Sequence, residues 1–217
     1  MKIVVTGGAG FIGSHVADAY VKAGHRVVVI DNLSQGSPAN IPKKAKFYKA
    51  DIRDAKALGR IFRAERPDVA NHHAAFISVT ESVKKPEETF ENNVMGTLNV
   101  ILAFARSGGA RGAKNAKKKF LFSSTGGAIY GNPKKLPADE FTLPQPLSPY
   151  ALSKYVGEQT IAYYCGAYNI PYLIFRYANV YGPRQHPQGR SPRSGMNSAF
   201  WLLCEPGVFS AIKPPSY

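Results

Sequence analysis

The stretch Thr6-Gly7-Gly8-Ala9-Gly10-Phe11-Ile12-Gly13 decides how the rest of the chain is read. Before it, Lys2–Thr6 (KIVVT) is a β-branched run with no polar alternation, which predicts a strand buried on both faces. After it, Phe11–Ala23 carries helical periodicity and closes at Gly24, a helix-ending signal. A glycine loop between strand and helix turns the chain sharply and lets backbone approach a ligand. The helix start offers free N–H groups and a partial charge of roughly +0.5. Gly8, Gly10 and Gly13 satisfy G-x-G-x-x-G, and Gly7, Gly10 and Gly13 satisfy G-x-x-G-x-x-G. Asp31 ends the next apolar run, His25–Ile30, at the offset of roughly 20 residues where a carboxylate accepts ribose hydroxyls. These features predict a dinucleotide site. Asp31, with no arginine in Asn32-Leu33-Ser34 to meet a 2′-phosphate, predicts NAD over NADP.

Outward from the loop, apolar runs alternate with helical stretches. Further strands are expected at Phe47–Ala50, about Asp68–Asn71, Lys119–Phe122 (ending in Ser123-Ser124-Thr125) and Pro171–Arg176. Helices are expected at Ala55–Ala64, Pro86–Arg106 and Pro149–Ala167, with a loop over Asn32–Pro42. The alternation predicts an α/β fold, a doubly wound parallel sheet of the Rossmann type, over residues 1–188. Gly189–Tyr217 has no sustained period and is expected to be a poorly ordered tail.

Composition excludes several classes. The 217 residues are 44% hydrophobic and 19% charged, an ordinary globular balance. No apolar run approaches the ~20 residues of a membrane span, and no signal peptide precedes the glycine loop. Cys165 and Cys204 make no disulfide framework, so a cytoplasmic location is expected. Lys+Arg 28 against Asp+Glu 14 gives a net charge of +14. Much of the excess lies between Arg106 and Lys119, including Arg111, Lys114, Lys117, Lys118 and Lys119. Without interleaved aromatics this run reads as a solvated loop, not a nucleic-acid patch. His72 and His73 are adjacent on a strand and point opposite ways, so no metal site is expected.

A second cluster is Tyr150-Ala151-Leu152-Ser153-Lys154, which puts a phenol and an ammonium at i and i+4 on one helix face. To act as a base near pH 7, a tyrosine must fall from about 10 by roughly 3 units, or about 4 kcal/mol. Burial works against this, so nearby cations must supply it: Lys154 and the positive ring of oxidised NAD.

With these clusters in place, the chain resembles the extended short-chain dehydrogenase/reductase family, the NAD-dependent epimerase/dehydratase group, and within it the UDP-glucose 4-epimerases. The likeness runs through TGGAGFIGSH (Thr6–His15), DNLSQG (Asp31–Gly36), Asp51-Ile52, His72-His73-Ala74-Ala75, NNVMGTLNV (Asn92–Val100), SSTGGAIYG (Ser123–Gly131), SPYALSKYVGEQ (Ser148–Gln159) and RYANVYGPRQ (Arg176–Gln185). It implies that Gly7, Gly10, Phe11 and Ile12 line the pyrophosphate. Asp31, Asn32, Ser34 and Gly36 would surround the adenosine ribose, and Asp51 and Ile52 would meet the adenine. His73, Ala74, Ala75 and Asn92 would flank the nicotinamide. By the same resemblance Tyr150 is the base, Lys154 holds the nicotinamide ribose, Thr125 is the hydroxyl partner with Ser124 as the alternative, and Thr125 and Asn179 contact the substrate.

The implied reaction is transient oxidation of a UDP-hexose at C4 and return of the hydride to the other face. In the related dehydratases an Asp-Glu pair follows the hydroxyl residue; here Gly126-Gly127 stands there, which favours epimerisation over elimination. A homodimer through helices 86–106 and 149–167 is also implied. The likeness stops near Gln188. Most of the small C-terminal substrate domain is expected to be missing, as a shifted reading frame or an early end would produce. A non-catalytic NAD-binding protein, or an inactive truncated remnant, is the alternative reading.

Overall fold

A computed structural model of the chain describes residues 1–108, 118–133 and 135–185. The expected tail from Gly189 and most of the basic run lie outside the described residues. The strands are β1 (Lys2–Thr6), β2 (Arg26–Asp31), β3 (Lys46–Lys49), β4 (Val69–His72), β5 (Lys119–Thr125) and β6 (Tyr172–Tyr177). The helices are α1 (Phe11–Lys22), α2 (Ala55–Glu65), α3 (Val79–Lys84), α4 (Pro86–Phe90), α5 (Gly96–Arg106), α6 (Gly126–Ile129) and α7 (Pro149–Ala167).

All six strands pair in parallel, in the order β3-β2-β1-β4-β5-β6. The sheet is wound on both faces. Ile3, Val5, Val27, Val29 and Val69 pack with Ala17 of α1 on one side. Val4, Val28, Ile30, Ala70, Phe120, Phe122 and Ile174 pack with residues of α2, α5 and α7 on the other. Successive residues of a strand face opposite sides, so each central strand feeds both cores and reads as a continuous apolar run. The order reverses between β1 and β4. Their carboxyl ends therefore open the crevice where such sheets take ligands.

Local chemistry sets the element ends. Asp54 caps α2 by accepting from Ala57 N, and Ser148 caps α7 by accepting from Ala151 N. Gly24 ends α1 in the left-handed region at φ 79°. Two expectations needed revision. The expected helix Pro86–Arg106 is one helical run interrupted by a wider π turn at Glu91–Met95, which buries the consecutive Asn92 and Asn93. Lys118 is not part of a solvated loop: it is buried, and its Nζ donates to Phe104 O at 2.6 Å and Ser107 Oγ at 3.0 Å. It thus satisfies carbonyl and hydroxyl groups at the end of α5, and burial lowers its pKa to about 8.

Candidate functional site

The glycine loop sits against the end of β4. Gly7 adopts φ 71°, and a Cβ there would lie 2.6 Å from Ala74 N, so both conformation and crowding require glycine. A Cβ on Gly13 would come within 2.9 Å of the Gly7 carbonyl carbon. Gly10 differs: an added Cβ would meet only Gly7 O, at 3.3 Å. Among the described residues nothing else fills the space over Gly10. It lies over the start of α1, which has no side-chain cap and no acidic residue in its first turn. This cradle fits a pyrophosphate: small, lined by backbone, and facing the positive end of a helix that begins at Phe11 and Ile12.

Asp31 ends β2 beside this cradle and is buried. Its carboxylate accepts from Ala9 N at 3.0 Å and Leu33 N at 2.8 Å, fixing the glycine loop and the turn that follows. Each oxygen keeps a lone pair for a ribose hydroxyl. Asn32 donates to Asp51 Oδ2 at 3.0 Å and accepts from Ser34 N at 2.9 Å. Ser34 is exposed, and Gly36 is pressed so close to Ala9 that a Cβ would lie 2.8 Å from Ala9 Cβ. Asp51 pairs with Arg53 at 2.8 Å; hydrogen bonds from the Arg53 side chain hold its carboxyl well below the usual range. Ile52 is buried against Gly96, where a Cβ would lie 2.5 Å from Ile52 Cδ1. Asp31, Asn32, Asp51 and Ile52 thus form one continuous wall at the β2–β3 side of the crevice.

On the other side, His73, Ala74 and Ala75 follow β4 directly. The two histidines diverge. His72 Nδ1 bonds Thr6 Oγ1 at 2.6 Å, its Nε2 bonds Thr97 Oγ1 at 2.9 Å, and its ring stacks on Phe122. Thr97 Oγ1 donates to the Asn93 carbonyl at 2.6 Å, so Nε2 must carry the His72 proton and Nδ1 must accept from Thr6. Both nitrogens of His73 are buried without a hydrogen-bond partner among the described residues, and its ring stacks on Tyr177 at 6.5 Å. Burial, then the charge of Lys154, lowers the pKa of His73 to about 3 and keeps the imidazole neutral.

Helix α7 brings Tyr150 and Lys154 over the end of β5. Thr125 lies beside the Tyr150 hydroxyl, close enough to oppose the effect of its burial. Ser124, the alternative hydroxyl, is taken up two turns further along α7, where it donates to Glu158 Oε1 at 2.5 Å. Burial raises the Tyr150 pKa, and Thr125 opposes this without winning. Lys154 is buried, with Nζ 4.2 Å from the centre of the Phe122 ring. Burial lowers its pKa to about 7, while the Glu158 charge pushes it back up. Asn179 is exposed beyond β6, with Oδ1 3.6 Å from where a Gly127 Cβ would stand.

Sequence reasoning passed over Asn93 and Ser153. Asn93 accepts from Phe76 N at 2.8 Å and donates to Phe76 O and Ser153 Oγ, each at 2.9 Å. Ser153 Oγ donates to Tyr150 O at 2.8 Å. One amide thereby ties the loop after β4 to the helix that carries Tyr150. Two consecutive asparagines inside an apolar helical pattern were the available signal.

The comparisons agree with this geometry. The family model described as NAD dependent epimerase/dehydratase family matches residues 3–199. The UDP-glucose 4-epimerase of Lactobacillus helveticus is 41% identical over 84% of this chain and 52% of its own length. The UDP-glucose 4-epimerase of Thermotoga maritima, solved with UDP-glucose, superposes with a TM-score of 0.80 at 44% identity, over 87% of this chain and 59% of that one. That of Thermus thermophilus, solved with NAD, gives 0.80 at 43% identity, over 87% and 58%. The chain therefore spans little more than half the length of these relatives. On the match of sequence and fold together, the chain belongs to the NAD dependent epimerase/dehydratase family.

Proposed function

We propose that the chain carries the cofactor-binding and proton-transfer half of a nucleotide-sugar 4-epimerase acting on UDP-glucose and UDP-galactose. The observation that carries the reading is the Thr125–Tyr150–Lys154 cluster, set across the crevice from the glycine cradle and Asp31. Bound NAD would supply a hydride acceptor at its nicotinamide. Tyr150 would take the proton of the sugar 4-hydroxyl, with Thr125 beside the phenol to hold that hydroxyl in line. Lys154 would anchor the nicotinamide ribose and stabilise the phenolate electrostatically. Gly7, Gly10, Phe11 and Ile12 would bind the pyrophosphate, and Asp31, Asn32, Ser34 and Gly36 the ribose. Asp51 and Ile52 would face the adenine. His73, Ala74, Ala75 and Asn92 would shape the nicotinamide side, and Asn179 would reach the substrate. Turning the 4-keto sugar and returning the hydride needs no acid–base pair for elimination, which accords with Gly126-Gly127 after Thr125.

Two features accompany this reading. The run Pro86–Arg106 packs against α7, and Met95, Leu152 and Tyr163 on these elements remain exposed, which supports a homodimer through these helices. No helix among the described residues is long and apolar enough to cross a membrane; with two cysteines only, we place the protein in the cytoplasm.

A coupled assay for UDP-galactose to UDP-glucose conversion by the 217-residue chain tests the function. Cofactor binding without turnover would favour a non-catalytic NAD-binding protein. Cofactor choice has its own test. A 2′-phosphate would face the Asp31 carboxylate, so NAD is expected to bind at least about tenfold more tightly than NADP in parallel titrations. Equal or tighter NADP binding would refute that placement of Asp31.

A further inference from the structure

At the end of β4 the crevice holds an imidazole that the fold leaves unpartnered. Both ring nitrogens of His73 are buried, and neither has a hydrogen-bond partner among the described residues. Its neighbour shows what the fold does with a histidine it needs for itself. His72 is buried and bonds Thr6 through Nδ1 and Thr97 through Nε2. The His73 ring is nonetheless held in place. Its backbone N–H donates to Thr6 O at 3.0 Å, and its ring lies 12° from parallel to that of Tyr177. Tyr177 is itself fixed. Its ring stacks on Phe175, and the preceding Arg176 is gripped by Glu158 of α7 in a bidentate fork, Nε to Oε1 at 3.0 Å and Nη2 to Oε2 at 2.7 Å. The sheet order is β4-β5-β6, and Thr125 pairs with Tyr177. The imidazole therefore reaches from β4 across the end of β5, at the height of Thr125.

We propose that His73 hydrogen-bonds the carboxamide of the nicotinamide ring and so fixes which face of that ring is turned to the sugar. This deepens the epimerase reading and rests on it. A buried polar group without a partner costs free energy, so an orphan held this firmly calls for a ligand that completes it. Position says which part of the ligand. Asp31 and the cradle over Gly10 lie on the β2 and α1 side, and would take the adenosine and the pyrophosphate. The other end of the dinucleotide would then run toward the ends of β4 and β5, where His73 sits with Tyr150 and Lys154. Chemistry says which group. A neutral imidazole has one donor and one acceptor nitrogen, and burial keeps His73 neutral. A carboxamide has an acceptor oxygen and a donor NH2, so whichever nitrogen meets it finds the matching group. Lys154 can only donate, which suits a ribose hydroxyl and leaves the carboxamide to His73. The nicotinamide ring carries no other polar substituent, so a bond to this one is what tells its two faces apart.

Nitrogen NMR of the histidine side chains in the full chain reads this bond directly, with His73 assigned by its loss in His73→Phe or His73→Gln. Saturating oxidised NAD should move the His73 nitrogen resonances. ADP-ribose, which keeps both phosphates and both riboses but lacks the nicotinamide, should not. Binding gives a second readout. His73→Phe keeps a ring against Tyr177 and removes both nitrogens. It should leave ADP-ribose affinity within about twofold and weaken NAD about tenfold or more. Without cofactor its melting temperature should equal or exceed that of the native chain, because two unsatisfied buried atoms are gone. A residue kept for packing or folding would lose stability instead. His73 nitrogens that answer NAD and ADP-ribose alike, or a His73→Phe chain that binds NAD as the native chain does, would overturn the proposal and leave NAD binding standing. A native chain that binds NAD with the expected His73 response yet never turns over would count against the epimerase reading alone. A native chain that binds neither NAD nor ADP-ribose would overturn both.

Discussion

Gly13→Ala is expected to cost both stability and cofactor binding, while Gly10→Ala costs binding alone. The two glycines are three residues apart in the same loop, yet the space around them differs in kind. A methyl on Gly13 would press on the Gly7 carbonyl carbon at 2.9 Å and on Gly8 Cα at 3.2 Å, with the Gly7 oxygen closer still. All of these are backbone atoms and cannot swing aside as a side chain would. Gly7 is itself pinned by its hydrogen bond to Ile30 O at 2.8 Å and by the nearby Ala74. Overpacking of this kind costs about 1–3 kcal/mol, which for a chain of this size lowers Tm by roughly 2–4 °C per kcal/mol. It must also move the loop by a fraction of an ångström or more. That displaces the backbone against which the pyrophosphate would rest, so NAD affinity should fall about tenfold or more, equivalent to about 1.4 kcal/mol. Gly10→Ala meets only Gly7 O at 3.3 Å and should leave Tm within a degree or two, yet its methyl would occupy the ligand's space. Thermal melts and NAD titrations of the two variants decide the matter. Equal Tm losses in both would mean that the cradle over Gly10 is packing, not a ligand site.

That contrast shows what could be read from sequence. The glycine pattern, the β-branched run before it and Asp31 after it are local signals, and local signals locate β1, α1 and β2 within a residue or two. Pro149–Ala167 was legible to the residue because Ser148, Pro149 and a helical run announce its start. The roles of individual side chains were less legible. Which of Thr125 and Ser124 is left for Tyr150 depends on a tertiary partner, since Glu158 takes Ser124, and β5 runs through Thr125 instead of stopping at Phe122. The π turn at Glu91–Met95 was hidden because the helical pattern continues on both sides of it, and its two asparagines show their use only through tertiary partners, Phe76 and Ser153. Lys118 looked like one more basic loop residue; its burial follows from the open end of α5, which composition does not reveal. Glu158 and Arg176 are far apart in sequence and meet only because α7 crosses β5 and β6.

Tyr150→Phe should abolish turnover while leaving NAD bound, and the pH behaviour of the native tyrosine explains why the cofactor must arrive first. In the protein alone, burial raises the Tyr150 pKa above its usual 10, and Thr125 only partly offsets this. Burial lowers the Lys154 pKa to about 7. A phenolate beside an ammonium is therefore scarce in the free chain at any pH: where Lys154 is charged, Tyr150 holds its proton, and where Tyr150 ionises, Lys154 has lost its own. A positive nicotinamide ring near the phenol would lower the Tyr150 pKa, and a ribose accepting a hydrogen bond from Lys154 would favour its charged form. Oxidised NAD should thus shift the Tyr150 ionisation to lower pH, and NADH, whose ring is neutral, should not. Ultraviolet titration of the phenolate, taken as the difference between native chain and Tyr150→Phe, measures this. If oxidised NAD leaves the midpoint where it is in the free chain, Tyr150 cannot serve as the base. For turnover, loss of a positioned general base costs about 10²–10⁴-fold, so Tyr150→Phe should lose at least 10² in kcat. The phenyl ring keeps the packing on α7, and the cradle and Asp31 are far along the crevice, so NAD affinity should fall by only a few-fold. A variant that keeps both cofactor and turnover would move the proton transfer to another group, and Thr125, the hydroxyl beside the phenol, would be the next to replace.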